Sequence, residues 1–347
     1  MEHAADPAPL WLSDRAGLHG GAGAGPAGLF PQTALDLIML DPQAKAVLDD
    51  LARKAAVQVA PRDAAQKLAQ ARAMTGAMAD YSGQAPDGVS ARDIEVAGPA
   101  GPIRVRLTRP DGAALPPLLV WYHGGGAMAG SLEGHDVPLR QLTEATGWAI
   151  ASVDYRLAPE HPHPAPQDDC LAATRALRDA AETLGCDPAR LAIGGDSIGG
   201  LFAADVALAL REAGERLPEA MVLVYPNTDL RPDRPWPSLG TESGHVMTQE
   251  SLAYENDLFV PDVAERHTPR ASPFLAPDLT GLPLALMITC EHDPLRDEGE
   301  GFAARLGEAG VQVTAHREAG MIHAVLQMDG WIARAADLRA RIADFLG

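Results

Sequence analysis

Gly195-Asp196-Ser197-Ile198-Gly199 places a serine between two glycines, with the apolar run Leu191-Ala192-Ile193 before it and the helix-like stretch Leu201 to Leu210 after it. A serine at a tight strand-to-helix turn is forced outward, and flanking glycines remove the side chains that would collide there. Serine is a poor nucleophile at neutral pH. It needs a base within hydrogen-bond reach and a third group to orient that base. His123-Gly124-Gly125-Gly126 follows the strand-like Leu118 to Tyr122, where an acyl-transfer enzyme would build an oxyanion hole from backbone N–H groups. The chemistry implied is attack on an ester carbonyl.

The missing partners are sought at other strand ends. Leu284 to Cys290 is followed by Glu291-His292-Asp293-Pro294, and Val311 to His316 is followed by Gly320-Met321-Ile322-His323. Asp293 and His323 therefore come in the order nucleophile, acid, histidine, each after a strand. Glu291 sits too close to its strand end, and Asp297 opens the next helix. His292, His316, His161 and His163 are weighed as surface or core histidines. No zinc-ligand spacing is visible, so neither metal nor other cofactor is expected. A missed metal would be sought at His161 and His163.

Strands and helices must alternate to hold these residues. Residues 93–109 read as a hairpin turning at Gly98-Pro99-Ala100-Gly101. Strand-like runs follow at 117–122, 148–153, 191–193, 220–225, 284–290 and 311–316. Amphipathic stretches fall at 168–184, with Asp168 as N-cap, and at 199–212, 297–309 and 329–345. This alternation predicts a mostly parallel sheet with helices on both faces. Residues 1–30 are rich in Gly, Ala and Pro and read as a loose arm. From 33 to 80 the pattern is helical, with Asp41-Pro42 opening a helix. Almost sixty residues separate the strand at 220–225 from the next, too many for a simple crossover, so an insertion over the C-terminal edge of the sheet is expected. The chain then divides into an N-terminal arm and cap helices (1–86), a first core part (87–232), a cap insertion (233–268) and a second core part (269–347).

Five motifs now stand in order: Tyr122 to Gly126, Asp154 to Pro162, Gly194 to Gly200, Asp293 to Asp297, and Gly320 to His323. Together they resemble the bacterial hormone-sensitive-lipase-like, or family IV, carboxylesterases of the α/β-hydrolase fold, from about residue 90 to 345. The resemblance implies that Ser197 is the nucleophile, His323 the general base and acid, and Asp293 the orienting carboxylate. It gives the oxyanion donors as the N–H groups of Gly125, Gly126 and Ile198, the last also following from its place at a helix start. His123 would brace the glycine loop, Glu160 would support loops beneath the site, and Gly124 and Asp196 are further supporting positions. The chain departs from the family in carrying Ile198 after the nucleophile, where alanine is usual, and Ala127-Met128 after the glycines. Ile198 is expected to narrow the pocket.

The 347 residues are 46% hydrophobic and 22% charged, with a net charge of −19. That composition suits a well-packed core, and the charge excludes nucleic acid and anionic membrane surfaces as partners. Cys170, Cys186 and Cys290 are too few for a disulfide framework. The first thirty residues lack signal-peptide character, and no apolar run reaches membrane-spanning length. A cytoplasmic protein acting on a small-molecule ester is expected, and a homodimer is left open. The alternatives are an amide deacylase or lactonase on the same triad and a non-catalytic ligand receptor. The intact Ser197, Asp293 and His323 argue against the receptor. Short to medium acyl chains are expected, because residues 33–80 and 235–268 should close over Ser197.

Overall fold

A computed structural model describes residues 39–347. The Gly/Ala-rich arm expected at 1–30 lies outside the described residues. Eight strands form one sheet: β1 (Val89–Gly98), β2 (Gly101–Pro110), β3 (Leu118–Tyr122), β4 (Ala149–Val153), β5 (Leu191–Asp196), β6 (Ala220–Val224), β7 (Leu284–His292) and β8 (Val313–Ile322). Their order is β1-β2-β4-β3-β5-β6-β7-β8, antiparallel for β1–β2 and β2–β4 and parallel elsewhere. Gly98 faces Gly101 across the expected hairpin turn.

The central strands are buried along their whole length because helices cover both faces. Alternate residues feed two separate cores. Leu118, Val120 and Tyr122 face one core with α4 (Ala165–Ala180), α5 (Ile198–Glu212) and α8 (Arg296–Glu308). Leu119 and Trp121 face the other, with α1 (Pro42–Ala56), α3 (Asp136–Thr146) and α9 (Ala335–Leu346). Asp41 caps α1 through its carboxylate, with Pro42 in the first turn.

Two boundaries are corrected. α4 starts at Ala165, after Pro164, and its first turn tolerates Pro166 because an N–H there would have no helical acceptor, so the donor that proline lacks is not missed. Asp168 is therefore inside the helix, where it pairs with Arg270 instead of capping. β8 runs on to Ile322 through a register shift opposite Cys290 and His292. The long interval after β6 holds the short α6 (Ser238–Thr241) and α7 (Gln249–Phe259), the latter closed by a Thr248–Ser251 capping box.

Parallel strands end on one edge, so the loops after β3, β5, β7 and β8 meet there. Over that edge stand α2 (Ala64–Gly76) and the 246–255 segment. Among the described residues of the segment expected to cover Ser197, only the part from α2 onward lines the cavity; the buried face of α1 packs in the core. No helix among the described residues is long and apolar enough to cross a membrane.

Candidate active site

Ser197 joins β5 to α5 with φ 57° and ψ −122°, a strained conformation for a residue bearing a Cβ. The strain is held from both sides. Ser197 N donates to Val224 O at 2.9 Å, and Asn227 N donates to Ser197 O at 3.1 Å. Gly199 is required because a Cβ there would collide with the Tyr122 carbonyl, and one on Gly195 would strike Gly199. The turn can exist only with glycine at both positions.

Asp293 is fully buried after β7. One carboxylate oxygen accepts from Leu295 N at 2.8 Å, and the other lies 2.7 Å from His323 Nδ1. A carboxylate can only accept, so Nδ1 carries the proton and Nε2 is left as the acceptor. Ser197 and His323 line the same cavity, although no direct hydrogen bond joins them. The rejected acids have other tasks. Glu291 accepts from Gly320 N at 2.9 Å and steadies the histidine loop, and Asp297 accepts from Ser238 N at 2.8 Å in the first turn of α8.

Gly125 and Gly126 have φ of 119° and 62°, open to glycine and rare for other residues. Gly125 O takes the N–H groups of Met128 and Ala129, which curls the loop. Among the described residues the N–H groups of Gly125, Gly126 and Ile198 have no backbone acceptor. His123 lies under the loop, stacked on Tyr155 at 4.3 Å. Its Nδ1 donates to Gly124 O at 2.8 Å, while Tyr155 donates to His123 O at 2.7 Å. Burial, and next the neighbouring His135, lower the His123 pKa to about 4, so the ring is a neutral brace.

Asp196 lines the cavity beside Ser197 and anchors a buried network. It accepts from Trp121 Nε1 at 3.0 Å and faces His135 Nε2 at 3.1 Å and Gln327 Nε2 at 3.4 Å. Burial opposes its charge, but His135 and Trp121 outweigh that and hold its carboxyl below the usual range. Asp196 thus ties the serine turn to β3, the start of α3 and the segment after His323.

Two expectations fail here. Ile198 is buried in the core around α5 and is not a cavity wall; Met74, Met78, Met128, Val246 and Met247 are. Its β-branched side chain cannot narrow the pocket. Glu160 is exposed and does not lie beneath the site. It holds Arg72 of α2 in a bidentate pair at 2.6 and 2.9 Å, and that charge lowers its pKa to about 2. His161 and His163 belong to no metal-competent cluster among the described residues. Sequence reasoning missed Glu255 of α7, whose carboxyl stands against Gly126 in the cavity. No local motif marks it.

The family model for the alpha/beta hydrolase fold matches residues 119–327. The chain belongs to the α/β-hydrolase family. Within it, the resemblance to hormone-sensitive-lipase-like esterases holds through relatives of similar sequence. A carboxylic ester hydrolase, LipN, of Mycobacterium tuberculosis is 38% identical over 247 residues, covering 69% of this chain and 65% of that one. An ethyl acetate hydrolase of Pseudomonas putida is 37% identical over 235 residues, covering 67% and 74%. The solved structure of ester-hydrolase EH1AB1 from the Lake Arreo metagenome, complexed with a bipyridine phosphonate derivative, superposes with a TM-score of 0.82 at 38% identity. It covers 89% of this α/β-hydrolase chain and 98% of its own.

Proposed function

We propose that this α/β-hydrolase is a serine carboxylesterase working through an acyl-enzyme on Ser197. The observation that carries the reading is the shared cavity, in which a strained serine faces a histidine whose far nitrogen is fixed 2.7 Å from a buried aspartate. His323 Nε2 removes the Ser197 proton as Oγ attacks the ester carbonyl. The N–H groups of Gly125, Gly126 and Ile198 hold the tetrahedral oxyanion, each donor contributing on the order of 3 kcal/mol of barrier lowering. His323 then returns the proton to the leaving alcohol. Water attacks the acyl-enzyme by the same route and releases the acid. Asp293 stays ionised and stabilises the imidazolium.

Residues 233–268 and the segment from α2 to Met78 act as the cap. The methionine-rich walls reward each added methylene by about 0.8 kcal/mol until the space is filled, which favours acyl chains of roughly two to eight carbons by the same argument. A cytoplasmic location suits three buried, unpaired cysteines.

Ser197→Ala should abolish turnover of p-nitrophenyl butyrate with the circular dichroism spectrum unchanged. Asp293→Asn should lower kcat by about four orders of magnitude. Wild-type turnover by Ser197→Ala would overturn the assignment, and a kcat/KM optimum at palmitate would overturn the closed pocket.

A further inference from the structure

We propose that Glu242, His245 and His292 form a binding site for zinc or a similar first-row divalent cation, fastening the cap to the end of β7. Glu242 and His245 come from the cap insertion, and His292 is the last residue of β7. Their ligand atoms lie within 4.8 Å of one another, and all three side chains are half-buried. Glu242 Oε2 is 3.4 Å from His245 Nδ1 and 3.2 Å from His292 Nδ1; His245 Nδ1 also lies 3.2 Å from the Glu242 backbone O, a hydrogen bond that a bound cation would replace.

The spacing of the three side chains has room for a cation between them. A charge-assisted N–H···O bond is about 2.7–2.9 Å long, as in the 2.7 Å His323–Asp293 contact of this same molecule. The Glu242 contacts are longer. Tetrahedral zinc with bonds of about 2.0–2.1 Å sets its donors about 3.3 Å apart, close to the two Glu242–imidazole separations, and the two imidazole nitrogens lie within 4.8 Å of each other. The other oxygen of Glu242 faces Arg296 Nη1 at 3.4 Å, which orients the carboxylate with Oε2 toward the imidazoles. Two imidazoles and one carboxylate suit zinc and its neighbours rather than calcium or magnesium, which require oxygen donors.

The backbone supplies an independent reason for a fastening here. Val246, beside His245, has φ 75°, a conformation that a β-branched residue adopts only when its surroundings compel it. Val246 and Met247 are walls of the substrate cavity. A cation on His245 would hold that strained turn and set the wall, without touching Ser197 or His323.

The test uses the full-length chain, stripped with a chelator and titrated with zinc chloride in a calorimeter, with calcium chloride as control. One zinc per chain should bind, and the thermal unfolding midpoint should rise. His245→Ala should lose both effects, and Glu242→Gln should weaken binding at least tenfold; His161→Ala should retain both. Ester turnover at 25 °C should survive chelation in every case, which separates this proposal from the reading of the triad. No stoichiometric uptake by the wild type, or equal uptake by His245→Ala, would overturn it. If His245→Ala fails to fold, the Glu242→Gln comparison still decides.

Discussion

Glu255 is the residue whose protonation should be visible in kinetics. Burial pushes its pKa up to about 7, against the opposing charges of His323 and Arg234. Its carboxyl stands against Gly126, whose N–H is a proposed oxyanion donor. Below about pH 7 the neutral acid adds no charge near the developing oxyanion. Above it, an anion faces one. Wild-type kcat/KM for a neutral ester should therefore fall on an alkaline limb that begins near pH 7. Glu255→Gln should flatten that limb and hold more of its activity at pH 8.5; superimposable profiles would refute the argument. Glu255 also shows where sequence reading stops. Ser197, Asp293 and His323 were legible because each follows a strand within a short motif. Glu255, and the His135 and Gln327 that hold Asp196, come from separate elements that only the fold brings together.

The helix α2 has no buried residue of its own, so apolar burial alone cannot dock it. Arg72 supplies the attachment. It donates to Met128 O at 2.7 Å, to Ala158 O at 3.0 Å and to both oxygens of Glu160. The ion pair is half-exposed and is worth about 0.2–1 kcal/mol at most; the two backbone acceptors make the geometry specific. Arg72→Lys keeps the charge but cannot reproduce the fork. It should raise KM several-fold and broaden acyl-length selectivity, because Met74 and Met78 form a wall on this side, while the unfolding midpoint moves little. An unchanged KM across the acyl panel would show that α2 is held otherwise. At this level the sequence was readable wherever burial was continuous. The central strands were located by their unbroken apolar runs. Ends were less legible: α4 starts inside a proline-rich stretch that looks like loop, and Gly320, at φ 72°, interrupts the alternation that would have extended β8.

The whole chain carries a charge of −19, and three of its carboxyls, Asp205, Glu255 and Glu298, resist ionisation. Asp205, on α5, is 6% exposed and has its pKa raised to about 7, first by burial, with Arg270 opposing at 3.9 Å. Glu255 is raised to about 7 as well, and the fully buried Glu298 to about 8, first by burial, with Arg234 opposing at 3.2 Å. A carboxyl with a raised folded pKa binds more protons in the folded than in the unfolded state between its two values. Its contribution to stability is therefore complete below about pH 4 and lost as pH climbs toward 7. For Asp205 the loss is on the order of a few kcal/mol. The exposed Glu160 works in the other sense, since its pKa is lowered to about 2 and its small contribution fades only as pH falls below 4.5. Self-repulsion of the net charge adds to the alkaline loss and is screened by salt. The urea midpoint should therefore be higher at pH 5.5 than at pH 8.5, and added potassium chloride should recover part of the difference. Asp205→Asn removes one titrating group without changing shape, so it should flatten the pH dependence while leaving the salt response. A wild-type midpoint that rises steadily to pH 8.5 would contradict the sign, and an Asp205→Asn slope equal to the wild type would show that Asp205 is ionised in the fold.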